Sequence, residues 1–141
     1  MKDEGAVFNR LIQDYADTNI EMAHAMRDLA EARGALYSQK RKVSAVEEAM
    51  KVYCDRLVLG AMEEGGCING KNAEIRQLQA TDFLSRRGVE DAALVELRRK
   101  LAEAKVEMDR IIVQHDNSLD RLTVARNRAR MIAGLGEALG G

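Results

Sequence analysis

The stretch FNRLIQDYADTNIEMAHAMRDLAEARGAL, residues 8–36, decides the fold, because its apolar side chains recur alternately every three and four positions. Continued along the chain, these steps define a first seam: Phe8, Leu11, Tyr15, Thr18, Met22, Ala25, Leu29, Ala32, Leu36, Gln39, Val43, Val46, Met50, Tyr53, Leu57 and Gly60. A 3.5-residue repeat held for about seven heptads is typical of a coiled-coil helix. The pattern predicts one helical arm over about residues 5–63.

A second seam of the same spacing follows Gly88. Its positions are Leu94, Leu97, Leu101, Ala104, Met108, Ile111, His115, Ser118, Leu122, Ala125, Ala129 and Ile132. It predicts a second arm over about residues 89–134, and the glycine-rich GLGEALGG after it is expected to fray. Two seams of similar length joined by a bend indicate an antiparallel helical hairpin.

Between the arms, GGCINGKNAEIRQLQ (residues 65–79) interrupts the helical pattern. Gly65 and Gly66 are expected to end the first arm, and Gly70 is expected to need a backbone conformation that side chains disfavour. NAEIRQLQATDFLSRRG, residues 72–88, predicts a short helix capped by Asn72 and stopped by Gly88. Its apolar residues need cover, and the short helix is expected to fold back onto a second apolar row of the first arm near the bend: Ala45, Ala49, Val52 and Leu59.

The expected fold is therefore all-α: a long antiparallel helical hairpin, or coiled coil, with a short third helix folded near the bend. The 141 residues are expected to form a single domain, with the bend and short helix at about residues 64–88. Proline is absent and only 4% of residues are aromatic, which suits long helices better than a compact core. No secretory signal or membrane span is recognisable, and two separate cysteines fit a reducing compartment, so a cytoplasmic location is expected.

Register predicts which polar residues meet. Placing Leu57 opposite Leu94–Leu97 brings Gln39 beside His115 and Ser118, a polar core layer of the kind that sets register. A satisfied core histidine is favoured there over a ligand. The same register places four arginines opposite an acidic stretch of the first arm, which favours structural charge matching over a binding patch. These arginines are Arg121, Arg126, Arg128 and Arg130.

Catalytic patterns are weak. Glu21 and His24 have the Glu-x-x-His spacing of di-iron bundles, but that chemistry needs a second such motif and two more glutamates. Cys54, Cys67 and the histidines lack zinc-site spacing, and GGCINGK lacks the Ser or Thr of a phosphate loop. We therefore assign no catalytic, metal or cofactor residue, expect no cofactor, and predict a protein that is not an enzyme.

Two surfaces are candidates for partners. Lys71, Arg76, Arg86 and Arg87 make the bend mildly basic, and they are either a solvated surface or contacts for phosphates or an acidic partner. The net charge of −1 gives the chain as a whole no electrostatic preference for nucleic acid or for an acidic partner. On the second arm, a row nearly opposite the seam is also apolar and predicts a homo-oligomer, a dimer or larger. This α3 stripe comprises Val95, Ala102, Val106, Val113, Val124, Met131 and Ala138.

The string Gly70-Lys71-Asn72-Ala73-Glu74-Ile75-Arg76 resembles a segment at the hairpin turn of small coiled-coil proteins of tailed phages and prophages, most of which have no assigned activity. The order of elements is also similar to that of phage recombination-mediator proteins, which oligomerise and bind single-stranded DNA. The resemblance implies a phage-encoded protein acting in the host cytoplasm. We expect a non-catalytic oligomeric scaffold or adaptor with a protein partner; the alternative is a single-stranded nucleic-acid-binding accessory factor that uses the basic bend.

Overall fold

The computed structural model describes residues 2–140 of the chain. Three helices follow one another: α1 spans Lys2–Glu64, α2 spans Ala73–Glu90 and α3 spans Ala92–Gly140. Within the described residues there is no strand, and α1 packs extensively against α3. The prediction of an all-α helical hairpin with a short additional helix is confirmed.

The chain divides into two compact units. The first takes in the described residues up to Tyr37 together with those from Asp109 onward, and the second is Ser38–Met108. In the first unit, Ala25, Leu29 and Leu122 form a buried apolar cluster with Met22 packed against it. Asp28 pairs with Arg121, and Glu21 pairs with Arg128. Glu21 lies seven residues before Asp28 on α1, whereas Arg128 lies seven residues after Arg121 on α3. The two helices are therefore antiparallel in this unit.

The second unit has the same antiparallel arrangement. The Gln39 amide donates to the Ala104 carbonyl at 2.9 Å, and the Tyr53 hydroxyl donates to the Asp91 carboxylate at 2.6 Å. Leu94, in the first turn of α3, is completely buried. The first turn of α3 is thus held against α1 by both apolar and polar contacts.

The predicted seams agree with the observed burial. Every α1 seam position from Thr18 to Gly60 is buried or half-buried, and so is every α3 seam position from Leu94 to Ile132. Phe8 and Tyr15 depart from this pattern, with 49% and 46% of their surfaces exposed. Periodicity therefore identified the packed faces of both helices correctly.

The predicted register in the second unit is wrong. Leu57 was expected opposite Leu94–Leu97, but Tyr53 bonds to Asp91 and Gln39 reaches Ala104, a displacement of roughly two helical turns. A heptad seam looks the same after a shift of seven residues, so apolar spacing cannot fix register. The basis for placing Gln39, His115 and Ser118 in one layer is lost with the predicted register.

Helix ends and the cover of α2 also differ from expectation. Gly88 does not stop α2, which continues to Glu90, and α3 runs through the glycine-rich segment instead of ending near residue 134. Gly88 is buried because Arg98 crosses it: a Cβ there would lie 2.1 Å from the Arg98 Nη1. The α1 row Ala45, Ala49, Val52 and Leu59 remains exposed, so α2 does not cover it as predicted.

Candidate functional site

The bend, residues 65–72, begins with a left-handed glycine. Gly65 has φ of +73°, and its N–H donates to the Met62 carbonyl at 3.2 Å, closing the last turn of α1. Glycine is favoured there because it adopts positive φ without steric cost. A backbone conformation that side chains disfavour was expected at Gly70, but it occurs at Gly65.

Gly70 is required for space. Its φ is not positive, which corrects the prediction, but an added Cβ would lie 2.4 Å from Ile75 Cγ2 and 2.9 Å from Ile75 Cβ. Such distances are far inside van der Waals contact, so any side chain at position 70 must displace Ile75. The bend therefore packs directly on the first turn of α2.

Gln79 organises the bend through three hydrogen bonds. Its Oε1 accepts from the Asn69 and Gly70 amides at 3.0 and 2.8 Å, and its Nε2 donates to Asn69 Oδ1 at 3.2 Å. Sequence reasoning missed Gln79, because its partners lie nine and ten residues away and meet it only after α2 has folded back. Both amides already donate to Gln79, so a ligand phosphate would have to compete with this side chain for them.

The first turn of α2 completes this arrangement. Asn72 Oδ1 accepts from the Ile75 amide at 2.9 Å, which confirms Asn72 as the helix cap. Arg76 Nη1 donates to the Gly70 carbonyl at 3.3 Å. Gly70 is thus bonded through both its amide and its carbonyl, and Arg76 has a structural contact as well as a charge.

The other candidate ligand contacts have different surroundings. Arg86 pairs with Asp82 at 2.8 Å on the exposed side of α2, and the Arg87 guanidinium lies 5.7 Å from the centre of the Phe83 ring. Lys71 is exposed and makes no ion pair with any residue in the described part of the chain. Lys71, Arg86 and Arg87 are therefore all exposed, and among them Lys71 makes no side-chain hydrogen bond, ion pair or ring contact with another described residue.

Asp91 joins α1 to the start of α3. Its carboxylate accepts from the Tyr53 hydroxyl and from the Leu94 amide, the second bond being 3.0 Å long. The bond from Tyr53, followed by that from Leu94, holds the pKa of Asp91 below its usual range. The same bond to Asp91, with a smaller effect of burial, raises the pKa of Tyr53. Both shifts favour the pair in which Asp91 is charged and Tyr53 is neutral.

Neither cysteine is bonded to the other. Cys67 lies exposed in the bend, and Cys54 is half-buried on α1. Burial raises the pKa of the Cys54 thiol, with nearby Arg98 acting in the opposite direction. A raised pKa reduces the thiolate fraction at neutral pH, so Cys54 is not prepared as a nucleophile.

In the first unit, the Glu21 and His24 pair has no metal-site partners. His24 Nδ1 lies 3.1 Å from Arg27 Nη2, and Glu21 faces Arg128 at 3.9 Å. Over residues 2–140 no group of three or more histidine, cysteine or carboxylate side chains is placed to hold a metal ion. The surroundings of both residues are those of a helix surface carrying charge pairs.

The three residues predicted for the polar core layer have different surroundings. Gln39 is buried and bonds to Ala104, while Ser118 is buried beside Ala32 and Ala35 in the first unit. His115 is half-buried, with Nδ1 3.1 Å from the Asp116 carboxylate. No fully buried side-chain nitrogen or oxygen in the described chain lacks a hydrogen-bond partner. The polar residues of the seams thus do not bond to one another as a single layer.

Charge matching between the arms is confirmed for two of the four predicted arginines. Arg121 bonds to Asp28 at 3.0 Å, and Arg128 lies 3.9 Å from Glu21. Arg126 and Arg130 are exposed, and neither forms an ion pair within residues 2–140. The first two stand one heptad apart on the flank that faces the acidic side of α1.

The α3 stripe predicted to mediate oligomers is exposed throughout. Among its members, Val106 has 70% of its surface exposed, Val124 and Met131 66% each, Val113 58% and Val95 45%. Ala102 and Ala138 are also exposed. No part of the described chain covers this face of α3.

Comparison with known protein families, with curated proteins and with solved structures finds no match to this chain. None of the helices within residues 2–140 carries an apolar run sufficient to cross a membrane.

Proposed function

We propose that this chain is a non-catalytic coiled-coil scaffold or adaptor that works as a homo-oligomer. The observation that carries the proposal is the exposure of the α3 stripe, whose seven members are all apolar. Arg99, Asn117 and Asp120 interrupt this face, so it is a row of apolar sections and not one continuous surface. Monomeric proteins rarely leave so much apolar surface in water, because burying it stabilises by roughly 25 cal/mol per Å². A second copy packed along α3 is the simplest cover and would produce a four-helix bundle.

The polar features of the chain support a structural role. Gln79, Asn72 and Arg76 are all used inside the bend, and Glu21 and His24 contact arginines. The resemblance of residues 70–76 to the turn segment of phage coiled-coil proteins supports a phage or prophage origin, with action in the host cytoplasm.

Light scattering across a concentration series tests the scaffold proposal. Wild-type protein should have a mass that rises above that of one chain at micromolar concentration, and Val106→Glu should lower that mass by placing a charge in the stripe. Lys100→Glu, on a different face of α3, is the matched control and should leave the mass unchanged. A wild-type protein that stays monomeric throughout the series would contradict the proposal.

A nucleic-acid-binding accessory factor is the second candidate. The observation favouring it is that the Arg98 guanidinium of α3 lies against Gly88 of α2, which adds a cation of α3 to the helix that carries Arg86 and Arg87. Fluorescence anisotropy with labelled oligothymidine at about 50 and 200 mM salt is the test, since phosphate contacts weaken steeply with salt. Salt-dependent binding that Lys71→Glu/Arg87→Glu abolishes would support this function, and no binding at low salt would exclude it.

A further inference from the structure

A second apolar row, on α1 within the Ser38–Met108 unit, is exposed. Ala45, Val52 and Leu59 are seven residues apart, and 40% of Val52 and 57% of Leu59 are exposed. This heptad spacing is that of a helix-packing seam. With Ala49, Tyr53 and Leu97, the first part of this row lines a shallow groove.

Two opposite charges also line this groove. Glu48 and Arg56 are both exposed, and their eight-residue separation places them about 12 Å apart along α1, too far to pair with each other. No residue in the described part of the chain makes an ion pair with either of them. An apolar groove thus carries one unpaired carboxylate and one unpaired guanidinium.

These residues are arranged symmetrically about Val52. Glu48 precedes it by four residues and Arg56 follows it by four, while Ala45 and Leu59 stand seven residues away on either side. If a second copy of α1 packs antiparallel with a two-fold axis at Val52, each Glu48 meets the other copy's Arg56. Ala45, which is small, then meets Leu59 of the other copy, which is large, and Val52 meets Val52 of the other copy.

We propose that this groove binds a second copy of the chain, antiparallel, through a two-fold contact centred on Val52. The inference deepens the scaffold proposal and rests on it. It commits to a second copy because the row is complementary to itself in both charge and size, as a two-fold interface requires.

The proposed contact is short. Ala45 to Leu59 covers about 21 Å of helix, and such a contact buries less than the roughly 800 Å² per partner of a standard interface. Association through it is therefore weak and concentration-dependent. A chain with two different self-contacts, this groove and the α3 stripe, can assemble beyond a dimer, as a scaffold requires.

Charge exchange tests the pairing directly. Glu48→Arg alone and Arg56→Glu alone each place like charges together twice per dimer, and each should weaken association by about tenfold or more in light scattering or sedimentation. The double variant Glu48→Arg/Arg56→Glu restores opposite charges and should recover wild-type association. Lys51→Glu, about 100° from Val52 around α1 and so outside the groove, is the control that should change nothing.

Cross-linking tests the position of the axis. In a Cys54→Ser/Cys67→Ser background, Val52→Cys should form a disulfide-linked dimer on mild oxidation, whereas Lys51→Cys should not. The inference is overturned if wild-type protein associates but the single charge reversals have no effect and Val52→Cys does not cross-link, a result that leaves the scaffold proposal intact. A strictly monomeric wild type would overturn both.

Discussion

The helix pair of the first unit and the bend of the second are held together by different forces. In the first unit, Ala25, Leu29 and Leu122 are buried, and the charged pairs beside them are exposed. In the bend, Gln79 bonds to backbone groups, and Gly70 leaves space for Ile75. Apolar burial is tolerant of small adjustments, whereas Gly70 has no space for a side chain. Sensitivity to substitution should therefore follow packing and backbone contacts, with the exposed ion pairs contributing least.

The largest expected effect lies in the buried cluster. Leu122, which is 3% exposed, packs with Ala25 and Leu29, so Leu122→Ala removes apolar burial and leaves a cavity. We expect the free energy of unfolding to fall by about 2–4 kcal/mol. Urea unfolding followed by circular dichroism measures it, with Ile20→Ala as the control, because Ile20 lies in the same unit and is 56% exposed. An equal loss in both variants would contradict the packing described for the first unit.

A substitution in the bend comes next. Gly70→Val must displace Ile75 and is expected to destabilise by about 1–3 kcal/mol. Gly66→Val is the matched control, because a Cβ at Gly66 would meet no atom within 4 Å and its φ is not positive. Thermal unfolding of the two variants should separate them clearly. If both were silent, the bend would be a loose linker and its contacts unimportant.

A smaller effect should depend on pH. The pKa of Asp91 is lowered on folding, so its contribution is present above its unfolded pKa of about 3.9 and is lost as pH falls through its folded value. The pKa of Tyr53 is raised, so its contribution is lost only as pH rises above about 10. The difference in thermal midpoint between wild type and Asp91→Asn should therefore be smaller at pH 3 than at pH 7. A difference of the same size at both pH values would assign the effect to the amide substitution itself.

The smallest effect is expected at the charge pairs. Arg121 and Asp28 are bonded at 3.0 Å, but 64% of the Arg121 side chain is exposed. Arg121→Ala should lower the free energy of unfolding by less than about 1 kcal/mol. A double-mutant cycle with Asp28→Ala in low and high salt measures the coupling, which should decrease as salt rises. A coupling of several kcal/mol would show that the pair contributes as much as the apolar cluster.

Much of the fold was readable from spacing alone. The 3.5-residue repeat identified the buried faces of α1 and α3, because burial and periodicity report the same helix face. Register was not readable, since a seam shifted by a heptad still presents apolar residues. It is fixed instead by contacts such as Tyr53 with Asp91, which depend on where α2 returns the chain.

The bend shows the same division between local and distant information. Asn72 was recognisable as a cap because its partner is three residues away. The requirement for glycine at position 70 comes from Ile75, and Gln79 reaches back across the folded bend. Neither contact leaves a recognisable local motif. Among the candidate ligand residues, Arg76 was selected for its charge, yet its observed contact is with the Gly70 carbonyl.

The most direct test of self-association through exposed apolar faces is the mass of the wild-type chain in solution. Multi-angle light scattering from about 1 to 100 µM should give a mass that rises with concentration to at least twice the 15.7 kDa of one chain. Val106→Glu should lower this mass at every concentration in the associating range. A constant mass of 15.7 kDa for wild type, unchanged by Val106→Glu, would contradict the account.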